Sequence, residues 1–267
     1  MLSVVIITHN EQDWIENCLR SVKPIADEII VVDDGSTDRT TEICKSLGAK
    51  IFHHDWEGFS KQKNFALTKA HGDWIFFLDG DERISKELAS EIKKIISNSE
   101  EIGTYSIPRQ NIILGKKVRY GGWWPDYVVR LVNKKNIVGW TGNLHEQLKT
   151  ATSPNRLNGA LYHLTHRGIT WMLTKSIIYT KVEAKLRFEA DHPKVVWWRL
   201  FRVMGSEFFD RLVLKSGWRD GMVGVIEAIS QAFNMFLIYV HLWEMQQGET
   251  MENKYKNIDK KLSQDGF

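Results

Sequence analysis

At 267 residues, 43% hydrophobic and 26% charged, the chain is long and apolar enough for one α/β domain with a large core plus an appendage, which excludes global disorder. A formal net charge of +3 is too small to argue for nucleic acid as a partner. The two cysteines, Cys18 and Cys44, have no CxxC neighbour and no zinc spacing, so neither a disulfide scaffold nor a zinc site is expected and a reducing cytosol fits.

Short apolar runs then alternate with helical patterns. A buried strand is predicted over 3–7 and a helix over 12–22. A strand over 28–32 precedes a helix over 37–47. A short strand over 50–53, a helix over 60–70, a strongly apolar strand over 73–78 and a helix over 86–96 complete the series. Such alternation implies a parallel sheet covered on both faces, with ligands bound at the carboxyl ends of its strands. Residues 103–166 are less regular, with β-like pieces such as 127–132, and are expected to form the acceptor side of the same domain. The expected division is therefore 1–169 (a nucleotide half over 1–100, an acceptor half over 101–169) and a helical region over 170–267.

Two segments of that helical region are amphipathic. Over 195–215, Arg199, Arg202, Glu207, Asp210, Arg211 and Lys215 fall largely on one stripe among Trp and Phe. Over 222–243, Glu227, Ser230, Gln231, Asn234 and His241 make a polar stripe on an apolar cylinder. The second segment is long enough to span a bilayer. Its Glu and its stripe favour instead a helix lying in a membrane interface, or one packed on a partner helix, including that of a second copy in a homo-oligomer. No basic segment with a long apolar stretch precedes the first strand, so no export signal is expected.

Asp79 and Asp81 stand two apart, just past the strand Trp74-Ile-Phe-Phe-Leu78. Two carboxylates pointing into one cleft repel, and a divalent cation shared with substrate phosphates removes the repulsion. The competing use of Asp79 is a turn or a helix cap. Asp33-Asp34 end another strand. Turn and cap chemistry accounts for Gly35 and Asp38, whereas two adjacent carboxylates have no evident structural task and could bind a ribose or a base edge. Thr8-His9-Asn10-Glu11 follows the first strand at the same edge. Lys61 and Lys63 open a helix, where cations oppose the macrodipole; a facing nucleotide or plain solvent would account for them equally. Trp123-Trp124-Pro125-Asp126 is either a sugar-stacking platform or a core corner. Glu146, beside His145, is a candidate general base, although most lone Glu residues are surface groups. GxGxxG, GxxxxGK[ST] and GxSxG are absent, which counts against dinucleotide, P-loop and serine-hydrolase functions.

Ser3-Val-Val-Ile-Ile-Thr-His-Asn-Glu11, Val31-Val-Asp-Asp-Gly-Ser-Thr-Asp38, Lys61-Gln-Lys-Asn-Phe65 and Phe77-Leu-Asp-Gly-Asp-Glu82, in this order, resemble the family 2 glycosyltransferases of the GT-A fold. Gly121-Gly-Trp-Trp-Pro-Asp126, Arg130-Leu-Val with Leu144-His-Glu146, and Gly217-Trp-Arg-Asp-Gly221 resemble the lipopolysaccharide-core glucosyltransferase subgroup. The resemblance implies a Rossmann-like, mostly parallel sheet and an inverting transfer from a nucleoside-diphosphate sugar, a UDP-sugar, to a bacterial envelope glycan or glycolipid. It assigns Thr8, Glu11, Asp34, Lys63 and Asp79 to the nucleotide diphosphate, Asp79 and Asp81 to a divalent cation (Mg²⁺ or Mn²⁺), and Glu146 to the role of base. Where the family pattern has a further Asp, this chain has Glu82. The expected location is cytoplasmic, peripheral on the inner face of the cytoplasmic membrane. Two alternatives stand beside it. A polyprenyl-phosphate sugar transferase needs no strong base, and a non-catalytic glycan-binding module needs neither donor nor metal.

Overall fold

The computed structural model describes residues 1–98, 102–142 and 146–265. It divides into two units, Met1–His166 and Arg167–Phe267.

In unit 1, β1 (Leu2–Thr8), β2 (Glu28–Asp33), β3 (Lys50–His53) and β4 (Trp74–Asp79) alternate with α1 (Ile15–Val22), α2 (Thr40–Ser46) and α3 (Phe59–Lys69). Next come β5 (Glu82–Ile84), α4 (Lys86–Ser97), β6 (Thr104–Ile113), β7 (Lys116–Lys117) and β8 (Asp126–Asn133). β9 (Ile137–Thr141), β10 (Gln147–Thr150), β11 (Asn155–Arg156) and β12 (Leu161–Thr165) complete the unit. The main sheet runs β3-β2-β1-β4-β8-β6-β12-β5, with β7 and β11 on β6, while β9 and β10 pair separately. β3, β2, β1 and β4 are parallel, and β8 lies antiparallel between β4 and β6. This is a GT-A type α/β sheet.

The strand period of two explains why the first strands are apolar throughout. Val4, Ile6, Val31 and Phe76 face a core shared with Leu19 of α1 and Leu88 of α4. Val5, Ile30, Ile75 and Phe77 face the other side, against Ala66 of α3 and Trp140 of β9.

Two helices start later than the sequence predicts, because the residues ahead of them tie two loops together. The amides of Asn10, Glu11 and Gln12 donate to Ser36 Oγ, Thr40 Oγ1 and Asp38 Oδ2. The amides of Thr37 and Arg39 donate back to Asn10 Oδ1 and Gln12 Oε1. The middle of the chain is also more regular than expected. β6 is a 10-residue strand, and it carries its largest polar side chains together at Arg109, Gln110 and Asn111.

Unit 2 is helical: α5 (Ile169–Glu189), α6 (Trp197–Phe209), a π turn over Asp210–Leu214, a 3₁₀ turn over Gly217–Asp220, α7 (Gly221–Met245) and α8 (Met251–Asp265). Ala184, Val203, Ile238, Tyr239 and Leu242 join α5, α6 and α7 in one core. The polar stripe of α7 lies largely inside the unit. Glu227 is buried and accepts a hydrogen bond from Gln231 at 3.5 Å, and Asn234 and His241 are half-buried. The large exposed hydrophobic side chains of α7 are Met222, Ile229, Phe233 and Trp243.

The amino ends of the strands in unit 1 are pinned by the buried Glu28. Its Oε1 accepts from Ser3 Oγ at 2.5 Å and the His71 amide at 2.7 Å, and its Oε2 from Lys50 Nζ at 3.1 Å. Gly72 is required beside it, since a Cβ there would lie 2.6 Å from Ser3 Oγ. Burial alone would raise the Glu28 pKa, but the donors outweigh it and lower the value from 4.5 to about 2. The folded value lies below the unfolded one, so this stabilisation is complete above pH 4.5 and is lost as pH falls toward about 2. Glu28→Gln is expected to cost about 1.5–3 kcal/mol at neutral pH, the range for hydrogen bonds to a charged group. The gap to wild type should close across that acid window. Urea unfolding at a series of pH values measures it, and a gap that does not vary with pH contradicts the assignment.

Candidate active site

β1 lies between β2 and β4, so successive connections leave it in opposite directions. That is the crevice where open α/β sheets take ligands. Residues 8–11, 33–38 and 79–81 all follow strands at this edge.

Asp79 ends β4 and caps no helix; α4 is capped by Ser85, whose Oγ accepts the Leu88 amide at 3.1 Å. Asp79 Oδ2 instead accepts from Arg130 Nη2 of β8 at 2.5 Å, and Lys63 Nζ stands 3.4 Å from Oδ1. Glu82 has no exposed side-chain surface. It takes the same guanidinium at 2.7 Å, and its other oxygen accepts the Asp79 amide at 3.0 Å. The residue that departs from the family pattern therefore fixes the Asp79 turn from behind. Burial would raise the Asp79 pKa, but Arg130 first and Lys63 second hold the carboxyl well below the usual carboxylate range. Arg130, although buried, is held above its usual value by Asp79 and Glu82.

Lys63 is buried on α3. Its Nζ is 3.0 Å from Glu146 Oε1 and 4.5 Å from the centroid of the Trp140 ring, so one cation links the candidate base to Asp79. The next residue, Asn64, explains how a distant loop arrives there. Its side chain donates to the Trp140 carbonyl at 2.9 Å and accepts the Trp140 amide at 2.8 Å. That clamp holds β9 against α3, and the connection from β9 to β10 carries Glu146. Leu144 and His145 lie outside the described residues.

Asp81 Oδ2 is 3.6 Å from Nε2 of His163 on β12. His163 Nδ1 lies 2.7 Å from Asn111 Oδ1. Asn111 Nδ2 donates to the Trp123 carbonyl at 3.2 Å and to Asp126 at 3.3 Å, which sets the amide's orientation. With Asn111 Oδ1 as acceptor, Nδ1 donates, and Nε2 is the ring nitrogen turned toward Asp81. An imidazole nitrogen and a carboxylate at this separation are ligand types that a divalent cation takes. No group of three or more His, Cys, Asp or Glu side chains able to hold a metal occurs among the described residues. A cation here would complete its shell with ligand oxygens and water.

Asp33 does have the structural task that the sequence reading denied it. Its oxygens accept the Gly35 and Ser36 amides at 3.0 and 2.8 Å and the Ser36 hydroxyl at 2.5 Å. Of that pair only Asp34, with His9 Nδ1 at 2.7 Å, is placed for a ligand. Thr8 is buried with its hydroxyl unmatched, a cost that a bound ligand would relieve. Asp126 is tied to Arg109 by contacts of 2.6 and 2.8 Å. Trp123 and Trp124 are half-buried, with Trp123 edge-on to His166 at 5.4 Å. Glu11 is half-buried in the loop after β1.

Sequence reasoning passed over His163, Asn111 and Asn64, and gave Arg130 no role. Arg130 had a signal: a guanidinium inside the apolar run Val128-Val-Arg-Leu-Val132 must find a partner. The others depend on pairings between residues 52 and 76 positions apart.

The sequence profile of glycosyl transferase family 2 matches residues 3–136. An uncharacterized glycosyltransferase of Rickettsia bellii is 32% identical over 263 residues, which cover 91% of this chain and 86% of that protein. The lipopolysaccharide core biosynthesis glycosyltransferase LpsC of Rhizobium meliloti is 27% identical, over 91% of this chain and 92% of its own. Among solved structures, S. aureus TarS 1–349 in complex with UDP-GlcNAc aligns with a TM-score of 0.47 at 16% identity, over 93% of this chain and 92% of that one.

Arg130→Met takes away the cation shared by the buried Glu82 and the half-buried Asp79 and is expected to cost about 3–5 kcal/mol. Arg130→Lys replaces a fork by a point charge and should recover only part of the loss. Urea unfolding followed by circular dichroism gives the values. An Arg130→Met protein of wild-type stability would show that the carboxylates find other partners.

Proposed function

The chain belongs to glycosyltransferase family 2, and we propose that it moves a sugar from a UDP-sugar, with inversion, to a hydroxyl of a bacterial envelope glycan or glycolipid such as lipopolysaccharide core. Likeness to LpsC along 91% of the chain supports the acceptor class. The observation that carries the donor reading is the Asp81–His163 pair, with Nε2 of the imidazole 3.6 Å from the carboxylate oxygen. Asp81 and His163 would hold Mg²⁺ or Mn²⁺. Asp79, already balanced by Arg130 and Lys63, shapes the turn and faces the diphosphate. When bound, the cation neutralises charge on the diphosphate leaving group.

Thr8, Glu11 and Asp34 receive the nucleoside: the unmatched Thr8 hydroxyl gains a partner, and the Asp34 carboxylate accepts from a ribose or a base edge. Lys63 brings its positive charge to the diphosphate. Glu146, oriented by Lys63, takes the proton of the acceptor hydroxyl as that oxygen attacks the anomeric carbon opposite the leaving group, which inverts the centre. Asp126 is the poorer base, because Arg109 engages it twice.

Calorimetry with UDP, with and without Mn²⁺, tests the metal pair. Asp81→Asn and His163→Ala are each expected to raise the Mn²⁺ concentration needed for tight UDP binding by roughly 10–100-fold. Wild-type UDP affinity indifferent to metal would remove the cation from the scheme. Glu146→Gln should lower kcat by about 10²–10⁴-fold and leave UDP affinity nearly unchanged. Transfer by Glu146→Gln at near wild-type rate would point to a lipid-phosphate acceptor, which needs no protein base.

A further inference from the structure

Unit 2 holds large apolar side chains in water. Trp197 is 75% exposed, Phe201 69%, Leu214 67%, Trp218 61% and Met222 74%. Apolar groups this exposed, contiguous along the chain and rimmed by charge, mark a surface that meets something else. Trp197, Phe201 and Phe209 fall within one face of α6 by helical spacing. Packing fixes the far end of the run: a Cβ on Gly224 would lie 1.9 Å from the Gly217 carbonyl oxygen. The 3₁₀ turn that carries Trp218 is therefore seated directly on the first turn of α7, beside Met222.

The run is net positive. Residues 194–220 contain six Lys and Arg against three Asp and Glu, and Arg211 and Lys215 pair with Glu207 and Asp210. The guanidiniums of Arg199 and Arg202 both lie 5.8 Å from the Trp198 ring. Residues 1–166 hold 21 basic and 21 acidic side chains, so the whole positive excess of the protein belongs to unit 2.

We propose that this face of unit 2 docks on an anionic lipid bilayer, with α6, the two short turns and the start of α7 lying in the interface. Trp and Phe rings enter the headgroup layer, and Lys194 and Arg202 meet lipid phosphates. Charge selects the lipid over a second copy of the chain, because two such faces pressed together would oppose cation to cation. Segment Gly217–Met245 is long and apolar enough to cross a membrane, by length and composition. Its buried Glu227, paired with Gln231 inside the unit, favours an in-plane arrangement instead. The inference rests on unit 2 alone and does not depend on the donor chemistry.

Flotation of the full chain tests it, with vesicles of phosphatidylcholine alone and of phosphatidylcholine containing about one-third phosphatidylglycerol. Binding is expected to the anionic vesicles and to be reversed by high salt or alkaline carbonate. Trp197→Ser/Phe201→Ser removes two rings that stand mostly in solvent. It should bind at least about tenfold more weakly, with unchanged circular dichroism and Tm. Arg202→Ser should lose about fivefold, the effect of one charge near a lipid surface. Failure to bind anionic vesicles, variants that bind like wild type, or retention through carbonate would each overturn the proposal. So would a lipid-free dimer that Trp197→Ser/Phe201→Ser dissolves, since the face would then belong to a second copy.

Discussion

β4 and β8 form an antiparallel ladder that ends at Phe76 opposite Leu131. Beyond that pair the two halves of the sheet are joined not by backbone hydrogen bonds but by Arg130, which reaches from β8 to Asp79 and Glu82. The crevice opens where the ladder stops, and the guanidinium keeps its walls in register. Taking such charges out of water costs several kcal/mol per ion, and a pair of apolar residues could close the sheet at less cost. An apolar seam could not hold a carboxylate and its backbone at the floor of a cleft. The Arg130 cluster makes sense as the support of the Asp79–Gly80–Asp81 turn rather than as a source of stability.

Charge balance then sets the roles around the cleft. Asp79 and Glu82 share the Arg130 guanidinium, Arg109 approaches Glu82 at 3.8 Å, and the buried Lys63 adds a positive charge beside Asp79. Lys63 also meets Glu146, so the residue that offsets Asp79 orients the candidate base. Asp81, two residues on, is placed beside the His163 imidazole instead. Neighbouring carboxylates thus sit in different electrostatic surroundings.

Strand and helix types in residues 1–98 were legible in the sequence, because buried parallel strands such as Val4-Val-Ile-Ile7 are continuous apolar runs and the loops between them are polar. The loops themselves were misread by a few residues. Asn10, Gln12 and Asp38 look like helix starts, but they spend hydrogen bonds between the loops that follow β1 and β2. The doublet Asp33-Asp34 looked like two ligands, yet Asp33 is a turn residue. What the sequence could not disclose was long-range pairing: Asn64 with Trp140, Asn111 with His163, Arg130 with Asp79. Each is a polar residue on a regular element with an ordinary local environment, and only the sheet order reveals its partner.

The same limit applied to α7, in the opposite sense. Helical periodicity located its polar stripe correctly but could not say which way the stripe faced. Amphipathic helices of soluble proteins turn the polar side outward, whereas Glu227 is 2% exposed and Met222 is 74% exposed. A buried carboxylate is tolerable when it has a hydrogen-bond donor such as Gln231, and that satisfaction leaves the helix free to present methionine and aromatic rings outward. The rest of the helix's buried face is apolar: Ala228, Ala232, Ile238, Tyr239 and Leu242. In unit 1 the buried Thr8 hydroxyl lacks a hydrogen-bond partner. In unit 2 large apolar side chains such as Trp197 and Met222 stand in solvent, with cations interleaved among them along α6.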